Sequence, residues 1–128
     1  MKKLIILTEV ITIIILLVAS RPVAETKDHK YYILKTTGYC PCEICCDRWA
    51  DGKTYTGDKA GRGSIAIDLN GGPLKLGQKV YVEDYGYGIC NDTGGAINGW
   101  EADLCFSSHE KAKEWGIQLK KIYVIEEE

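Results

Sequence analysis

The sequence predicts a small, mainly β domain, and three observations lead to that class. About six short segments have the apolar or alternating pattern of strands, glycine-rich connections join them, and one segment has helix-boundary signals. Many short strands with tight turns are typical of a closed β architecture. The chain of 128 residues has room for one such domain.

The first two dozen residues are expected to lie outside this domain. A cationic start precedes an apolar run from Leu4 to Ala19, and small residues follow near Ser20. This order is typical of a secretory signal peptide, and the run is shorter than the roughly 20 residues of a spanning helix. We expect residues 1–24 to be a signal peptide or N-terminal membrane anchor and residues 25–128 to be a secreted or extracytoplasmic domain.

Each strand is predicted from its local pattern. Aromatic and β-branched residues mark the first strand, alternation marks the third, and Asn70-Gly71-Gly72-Pro73 is a strong turn signal before it. The predicted strands are Tyr31–Tyr39, Ser64–Asp68, Gln78–Glu83, two strands between Tyr85 and Phe106, and Ile122–Ile125.

One short helix is predicted after the fifth strand. Ser107 and Glu110 have the spacing of a capping box, in which a serine is followed three residues later by glutamate. Gly116 is a natural helix end.

The stretch YGYGICNDTGGAINGWEADLCF, residues 85–106, concentrates the candidate chemistry. Asp92 and Asp103 each interrupt a run that otherwise resembles a strand, where aspartate is depleted. If the two strands pair antiparallel in one register, Asp92 lies opposite Asp103 and Cys90 lies opposite Cys105. We therefore expect a hairpin with two facing carboxylates and a candidate Cys90–Cys105 disulfide, although an ordinary long hairpin remains the alternative.

The charge of the chain argues against nucleic acid as a partner, whereas the state of the six cysteines stays open. The net charge is −2, and no basic stripe is available to follow a phosphate backbone, so nucleic acid is not expected as a partner. Six cysteines suit disulfides in an exported small domain. For the CPCEICC cluster, disulfides are the first expectation, a zinc site formed by Cys40, Cys42, Cys45 and Cys46 is the second, and free thiols are the third. His29 and His109 are expected to be surface residues rather than metal ligands, since neither lies within ligand spacing of another donor in the sequence.

The order of these pieces resembles the bacterial 3D domain, which is named for three aspartates, from about Thr36 to Ile125. The segments TGYCPCEICC, KTYTG and SIAID are followed by the NDTGGAI loop, its flanking aspartates and SHEKAKEWG. The chain is also similar to the catalytic barrel of the membrane-bound lytic transglycosylase A family. The resemblance implies a six-stranded double-psi β-barrel with one short helix that cleaves peptidoglycan glycan strands, without a cofactor.

The resemblance also implies the site residues. The three aspartates carry over to Asp68, Asp92 and Asp103, and Asp103 takes the role of general acid and base. We expect repulsion from Asp92, helped by partial burial, to raise the pKa of Asp103. The family commonly has a basic residue where this chain has Glu101, and a proline where it has Leu69.

A lytic transglycosylase needs one dominant carboxyl because the sugar's own 6-hydroxyl is the nucleophile. Ordinary glycosidases need two. Hydroxyls and backbone donors suit sugars, which makes Thr56, Gly57, Thr93, Gly94 and Gly95 candidate substrate-binding residues, with plain turn chemistry as the alternative. Trp100 and Tyr87 could stack on sugar rings or lie in the core. The alternatives to the enzyme are a non-catalytic glycan-binding module and a hydrolase that leaves reducing ends.

Overall fold

The computed structural model describes residues 2–19, 27–46 and 51–125. The helices are α1 (Lys2–Ala19), α2 (Glu43–Cys46) and α3 (His109–Trp115). The strands are β1 (Tyr31–Tyr39), β2 (Ser64–Ile67), β3 (Lys79–Val82), β4 (Gly86–Thr93), β5 (Glu101–Cys105) and β6 (Gln118–Ile125). The prediction of a mainly β fold with six strands and a short helix after the fifth is therefore confirmed, and α2 is an additional single turn.

The six strands form a closed ring in the order β1-β5-β2-β4-β3-β6. Two neighbouring pairs, β1 with β5 and β2 with β4, are parallel, and the other four pairs are antiparallel. Because β2 lies between β4 and β5, these two strands do not form the predicted hairpin. Strand order depends on long-range packing, which local periodicity does not contain.

Every strand sends apolar side chains to one main core. The largest fully buried members include Leu34, Ile65, Ile67, Val80, Val82, Leu104 and Ile122. Tyr85, Phe106 and Trp115 extend this core through tilted and edge-to-face ring contacts. The candidate site lies on the opposite, outer face of β1, β5, β2 and β4.

Helix α3 packs closely on β1 because Gly38 has no side chain. A Cβ at Gly38 would lie 2.7 Å from the carbonyl oxygen of Ala112. The helix begins one residue later than the predicted capping box requires, since Ser108 is the N-cap and accepts a hydrogen bond from the Lys111 N–H. Gly116 ends the helix as predicted.

The N-terminal segment forms the apolar helix α1. Among the described residues, no helix is both long and apolar enough to span a membrane. The predicted cleavage region from Ser20 to Ala24 lies outside the described residues.

Candidate functional site

An open cleft of about 660 Å³ lies on the outer face of the ring. Ala66 of β2 forms its floor, with Asp92 and Asp103 beside it. Its walls come from the segment around α2, the turn before β2 and the loop after β4, through Pro41, Cys45, Cys46, residues 51–55 and residues 93–97. The cleft therefore collects side chains from parts of the chain that are far apart in sequence.

Asp92 and Asp103 flank Ala66 from its two sides. Asp92 is the register partner of Ala66 on β4, and Asp103 is its partner on β5. The predicted direct opposition of the two aspartates is therefore wrong, since a third strand separates them. Neighbouring register partners still point to the same face of a sheet, so both carboxylates reach the same cleft. The small alanine side chain leaves space between them.

A β-bulge in β4 directs Asp92 into the cleft. Ile65 pairs with Cys90 while the next residue, Ala66, pairs with Asp92, so Asn91 is the extra residue. A bulge breaks the alternation of faces and can redirect a side chain. Cys90 consequently belongs to the main core, although it lies only two residues from Asp92. The predicted register assumed regular alternation of side chains along this strand, and the bulge breaks that alternation.

Asp103 lies in an environment that favours its protonated form. Burial is the main cause that raises its pKa from 3.8 to about 6, and the charge of Asp92 adds to the increase. The Thr37 hydroxyl donates a hydrogen bond of 3.0 Å to Asp103 Oδ1, which acts in the opposite direction. The direction of the predicted shift agrees with the structure, but burial contributes more than the second carboxylate.

Asp92 is held as a hydrogen-bond acceptor. Its Oδ2 accepts from the Tyr39 hydroxyl at 3.0 Å, and its Oδ1 accepts from the backbone N–H groups of Tyr55 and Thr93 at 3.0 and 2.9 Å. Burial, followed by the charge of Asp92, raises the pKa of Tyr39, which keeps this phenol a donor. Three donors from different segments therefore fix the position of the carboxylate.

Asp68 does not line the cleft. Its Oδ2 accepts from the Gly99 N–H at 2.7 Å and its Oδ1 accepts from the Asn70 N–H at 2.9 Å. The hydrogen bond from Gly99, followed by that from Asn70, lowers the pKa of Asp68. The carboxylate thus ties the turn after β2 to the end of the loop that leads into β5, and the structure groups only two of the three aspartates.

The predicted sugar-binding residues divide into two groups. Thr93, Gly94 and Gly95 line the cleft, whereas Thr56 and Gly57 lie outside its lining. The Thr56 hydroxyl donates to Asp58 instead, and Gly57 has a positive φ of 88° in the turn. These two residues thus fit the alternative of turn chemistry.

Tyr55 and Tyr39 are cleft residues that were not among the sequence candidates. Tyr55 lines the cleft with a side chain that is 62% exposed, and Tyr39 ends β1 beside Asp92. Tyr55 adjoins Thr56 in KTYTG, so the motif could have indicated it. The role of Tyr39 required knowledge that β1 lies next to β5.

The two aromatic candidates lie away from the cleft. Trp100 is 55% exposed and packs edge-to-face on Tyr32, while Tyr87 is 74% exposed and packs edge-to-face on Tyr81. Neither side chain is buried, so the core alternative is wrong for both.

Glu101 faces a basic partner. Lys35 Nζ lies 2.5 Å from Glu101 Oε1, and the two residues are register partners on β1 and β5. The hydrogen bond from Lys35, followed by that from the Asn98 N–H, lowers the pKa of Glu101. The carboxylate of Glu101 is thus paired with a basic residue on the adjacent strand.

The predicted Cys90–Cys105 disulfide is absent. Both residues are free and buried, but Cys90 lies in the main core while Cys105 packs with Tyr39 and Ala66 on the cleft side. Strand β2 separates the two cysteines for the same reason that it separates the two aspartates.

The CPCEICC segment contains one disulfide, and its side chains converge with a histidine. Cys40 and Cys42 are bonded, whereas Cys45 and Cys46 are free. The Sγ atoms of Cys40, Cys42 and Cys45 and a ring nitrogen of His109 all lie within 4.8 Å of one another. The expectation that His109 is an isolated surface residue is wrong, because α3 begins beside this segment.

Comparison with known proteins adds a family to this geometry. The family model described as 3D domain matches residues 63–126, which is half of the chain. This stretch includes all three aspartates and α3.

Two proteins of Bacillus subtilis (strain 168) are similar to the chain. "Putative cell wall shaping protein YabE" is 36% identical over 97 residues, which cover 75% of this chain and 23% of that protein. "Cell wall-binding protein YocH" is 43% identical over 61 residues, which cover 48% of this chain and 21% of that protein. The chain therefore spans less than a quarter of the length of either relative.

The crystal structure of MltA from E. coli is among the solved structures that are similar to the chain, with a TM-score of 0.48 and 19% sequence identity. The similarity covers 59% of this chain and 28% of that one.

Proposed function

The chain belongs to the 3D domain family, and on that premise we propose that it is a peptidoglycan lytic transglycosylase. The reaction cleaves the β-1,4 bond between N-acetylmuramic acid and N-acetylglucosamine and leaves a 1,6-anhydromuramoyl end. One observation carries the proposal: Asp103 lies in an open cleft, and burial raises its pKa to about 6. Such a carboxyl can donate and then accept a proton near neutral pH.

Asp103 performs both proton transfers. Its protonated carboxyl gives a proton to the glycosidic oxygen as the bond from that oxygen to the muramic acid C1 breaks. The 6-hydroxyl of the same sugar then attacks C1 and gives its proton to the Asp103 carboxylate. The carboxyl is thereby restored, and no water is consumed. The Thr37 hydroxyl at 3.0 Å orients the carboxyl throughout.

Asp92 serves as a fixed neighbouring carboxylate. Its three hydrogen-bond donors hold it beside the Ala66 floor, on the side opposite Asp103. Positive charge develops on the sugar ring in the oxocarbenium-like transition state. A preorganised carboxylate stabilises such charge without reorganising during the reaction.

Asp68 acts as a positioning residue in this proposal. It holds the Gly99 N–H at the end of the loop that begins with Thr93, Gly94 and Gly95. These cleft residues bind sugar hydroxyls, and the exposed Tyr55 ring offers an apolar face for a sugar. Peptidoglycan glycan strands are the partner that this lining fits.

Fold and location complete the proposal. Two parallel pairs within a closed ring of six strands support the double-psi β-barrel topology. The names of the two relatives refer to shaping of the cell wall and to binding of the cell wall, which supports a role in the cell envelope. Residues 1–24 would direct the domain of residues 25–128 to that location as a signal peptide or membrane anchor.

A non-catalytic glycan-binding module is the second candidate. The name of one relative describes only cell wall binding, and the exposed Tyr55 in the cleft suits binding without cleavage. In that case the aspartates would only accept hydrogen bonds from sugar hydroxyls.

Product analysis separates these candidates. The full chain is incubated with purified peptidoglycan, and the soluble and digested muropeptides are analysed by mass spectrometry. We expect 1,6-anhydro ends from the wild-type chain and none above background from Asp103→Asn. Glu101→Gln is the matched control. Glu101 lies two residues before Asp103 on the same strand, but its carboxylate pairs with Lys35 and does not line the cleft.

Each other product has a definite meaning. Binding without any new ends favours the glycan-binding module, and reducing ends favour a hydrolase. Equal loss of product in Asp103→Asn and Glu101→Gln contradicts the role of Asp103, because the effect would then come from the strand and not from the carboxyl in the cleft.

A further inference from the structure

We propose that Cys40, Cys42, Cys45 and His109 bind one Zn²⁺ when the thiols are reduced, and that the metal ties the end of β1 to the beginning of α3. This inference rests on the convergence of four side chains and is independent of the proposed enzymatic activity. It replaces the four-cysteine zinc set that the sequence suggested, with His109 in place of Cys46.

The spacing of the four ligand atoms fits a tetrahedral ion. Zinc bonds of about 2.3 Å to sulfur and 2.0–2.1 Å to nitrogen place ligands of a tetrahedron about 3.5–3.8 Å apart. Cys45 Sγ lies 3.3 Å from Cys40 Sγ and 3.3 Å from His109 Nδ1. His109 Nδ1 lies 3.9 Å from Cys40 Sγ and 4.0 Å from Cys42 Sγ. These four distances lie on both sides of the ideal values. The sulfur atoms of Cys40 and Cys42, which are bonded to each other, must in addition move apart after reduction.

The backbone already holds the ligands in place. The N–H groups of Cys45 and Cys46 both donate to the Cys42 carbonyl, at 3.2 and 2.9 Å, which folds α2 into a single tight turn. The Phe106 N–H donates to the Tyr39 carbonyl at 2.6 Å, which keeps the chain before α3 beside the end of β1. His109 is the first residue of the helix that Ser108 caps. Preorganisation of this kind lowers the ordering cost of metal binding.

Cys46 has a different environment from the other three cysteines. Its Sγ donates to the Cys40 carbonyl at 3.3 Å, and its side chain packs against the small cluster of Tyr39, Ala66 and Cys105. It is also absent from the group of converging ligand atoms. The fourth ligand is therefore the histidine.

The disulfide and the metal compete for the same sulfur atoms. In the bonded state, neither Cys40 nor Cys42 is a thiolate, and only Cys45 and His109 keep their donor atoms. A dithiol reductant transfers two electrons and two protons to the Cys40–Cys42 bond and itself becomes a cyclic disulfide. Zinc then displaces the three thiol protons and binds three thiolates and one neutral imidazole.

The metal would constrain the fold more than the disulfide does. The disulfide joins residues only two positions apart, whereas His109 lies 69 positions from Cys40. The entropic benefit of a cross-link grows with the length of the loop that it closes. Four protein ligands leave no open coordination position, which is typical of a structural zinc site. The metal would hold the cleft wall formed by Pro41, Cys45 and Cys46.

Metal titration of the reduced full chain tests the proposal. The chain is reduced with a dithiol, desalted under nitrogen and titrated with Zn²⁺ alone against a chromophoric chelator, and in parallel with Co²⁺. We expect one Zn²⁺ per chain and the visible absorption of tetrahedral Co²⁺ with thiolate-to-metal charge transfer. Removing a group that hydrogen-bonds to a metal ligand weakens metal binding by about 10- to 100-fold. Cys45→Ser and His109→Ala remove a ligand itself, so each should weaken it by at least about 100-fold.

The matched control is Cys46→Ser, which should keep the affinity for Zn²⁺ within about threefold, since its sulfur is not a ligand. Circular dichroism confirms that each variant retains its β structure. The proposal is overturned if the reduced chain binds no Zn²⁺, or if Cys46→Ser loses binding while His109→Ala keeps it. That second outcome would assign the four-thiolate set.

Discussion

Asp103 and Asp68 are aspartates of the same motif, yet their surroundings push them in opposite directions. Asp103 lies beside the cleft, where burial raises its pKa to about 6. Asp68 lies in a turn, where the backbone N–H groups of Gly99 and Asn70 lower its pKa. The first carboxyl can hold a proton near neutral pH, and the second is a permanent acceptor. Environment, not residue type, therefore separates a proton donor from an aspartate that holds a turn in place.

The largest expected difference between the two regions is in the reaction rate. Loss of a general acid and base costs about 10²–10⁴-fold in rate, so Asp103→Asn should lower the rate of anhydro-product formation by that factor. Asp68→Asn should keep most of the rate at saturating glycan and raise KM, because it loosens the loop that binds substrate. Steady-state kinetics of both variants measure this. A larger loss of kcat in Asp68→Asn than in Asp103→Asn would reverse the assignment of roles.

The turn that Asp68 organises should be sensitive to packing. Gly72 has a positive φ of 81°, and a Cβ there would collide with the carbonyl oxygen of Gly99. We expect Gly72→Ala to lower the free energy of unfolding by about 2–4 kcal/mol, from strain and the collision together.

The matched control for this prediction is Gly77→Ala. Gly77 has a similar φ of 87°, but a Cβ there meets no atom within 4 Å. It should cost only the conformational term of about 1 kcal/mol. Denaturant unfolding of the two variants gives the difference, and equal losses would mean that the packing of the turn against Gly99 contributes nothing.

Burial of Asp103 should also reduce the stability of the wild-type fold near neutral pH. Because the folded pKa of about 6 lies above the ordinary value of 3.8, the folded state binds more protons than the unfolded state between these values. The contribution of Asp103 to stability is therefore complete below about pH 4 and is lost as the pH rises through about 6.

Asp103→Asn removes this cost, so the variant should be more stable than the wild type by about 1–3 kcal/mol near neutral pH. The difference should shrink toward zero below about pH 4. Urea unfolding at the two pH values measures it. A variant that is less stable than the wild type at neutral pH would mean that Asp103 is ionised without cost in the folded protein.

The smallest expected effect concerns the pH dependence of activity. The acid must be protonated, so kcat/KM should fall as the pH rises above about 6. The Thr37 hydroxyl lowers the pKa of Asp103 by donating to its ionised form. Thr37→Val should therefore shift the falling limb to higher pH by about 0.5–1 unit, whereas Thr37→Ser, which keeps the hydroxyl, should not shift it. A shift to lower pH in Thr37→Val would contradict the assigned direction of this hydrogen bond.

Much of the secondary structure could be predicted because it depends on local patterns. The predicted first strand, Tyr31–Tyr39, coincides with β1, and Gly116 ends α3 as expected. The separation of β4 from β5 could not be predicted, because β2 lies between them through contacts distant in sequence. The local pattern of residues 85–106 contains no information about a strand that precedes them in sequence and lies between them in space.

In the candidate site too, residues marked by a local sequence pattern could be predicted, whereas residues brought together by long-range packing could not. Asp92 and Asp103 could be singled out because charged residues interrupt strand-like runs, and both line the cleft. Thr37 and Tyr39 could not be connected with them, since the parallel pairing of β1 with β5 brings them near. His109 could not be connected with the cysteines, since the packing of α3 on β1 brings it near them. The bulge at Asn91 also has no distinct sequence signal, although it sets the face on which Asp92 lies.

The most direct test of the contrast between the two aspartates is an NMR titration of their carboxyl carbons in the full chain. The structure predicts that Asp103 titrates near pH 6 and that Asp68 titrates below 3.8. Asp103→Asn and Asp68→Asn assign the two signals. If the Asp103 carboxyl instead titrates at or below 3.8, it is ionised at neutral pH and cannot serve as the acid, and the proposed mechanism is wrong.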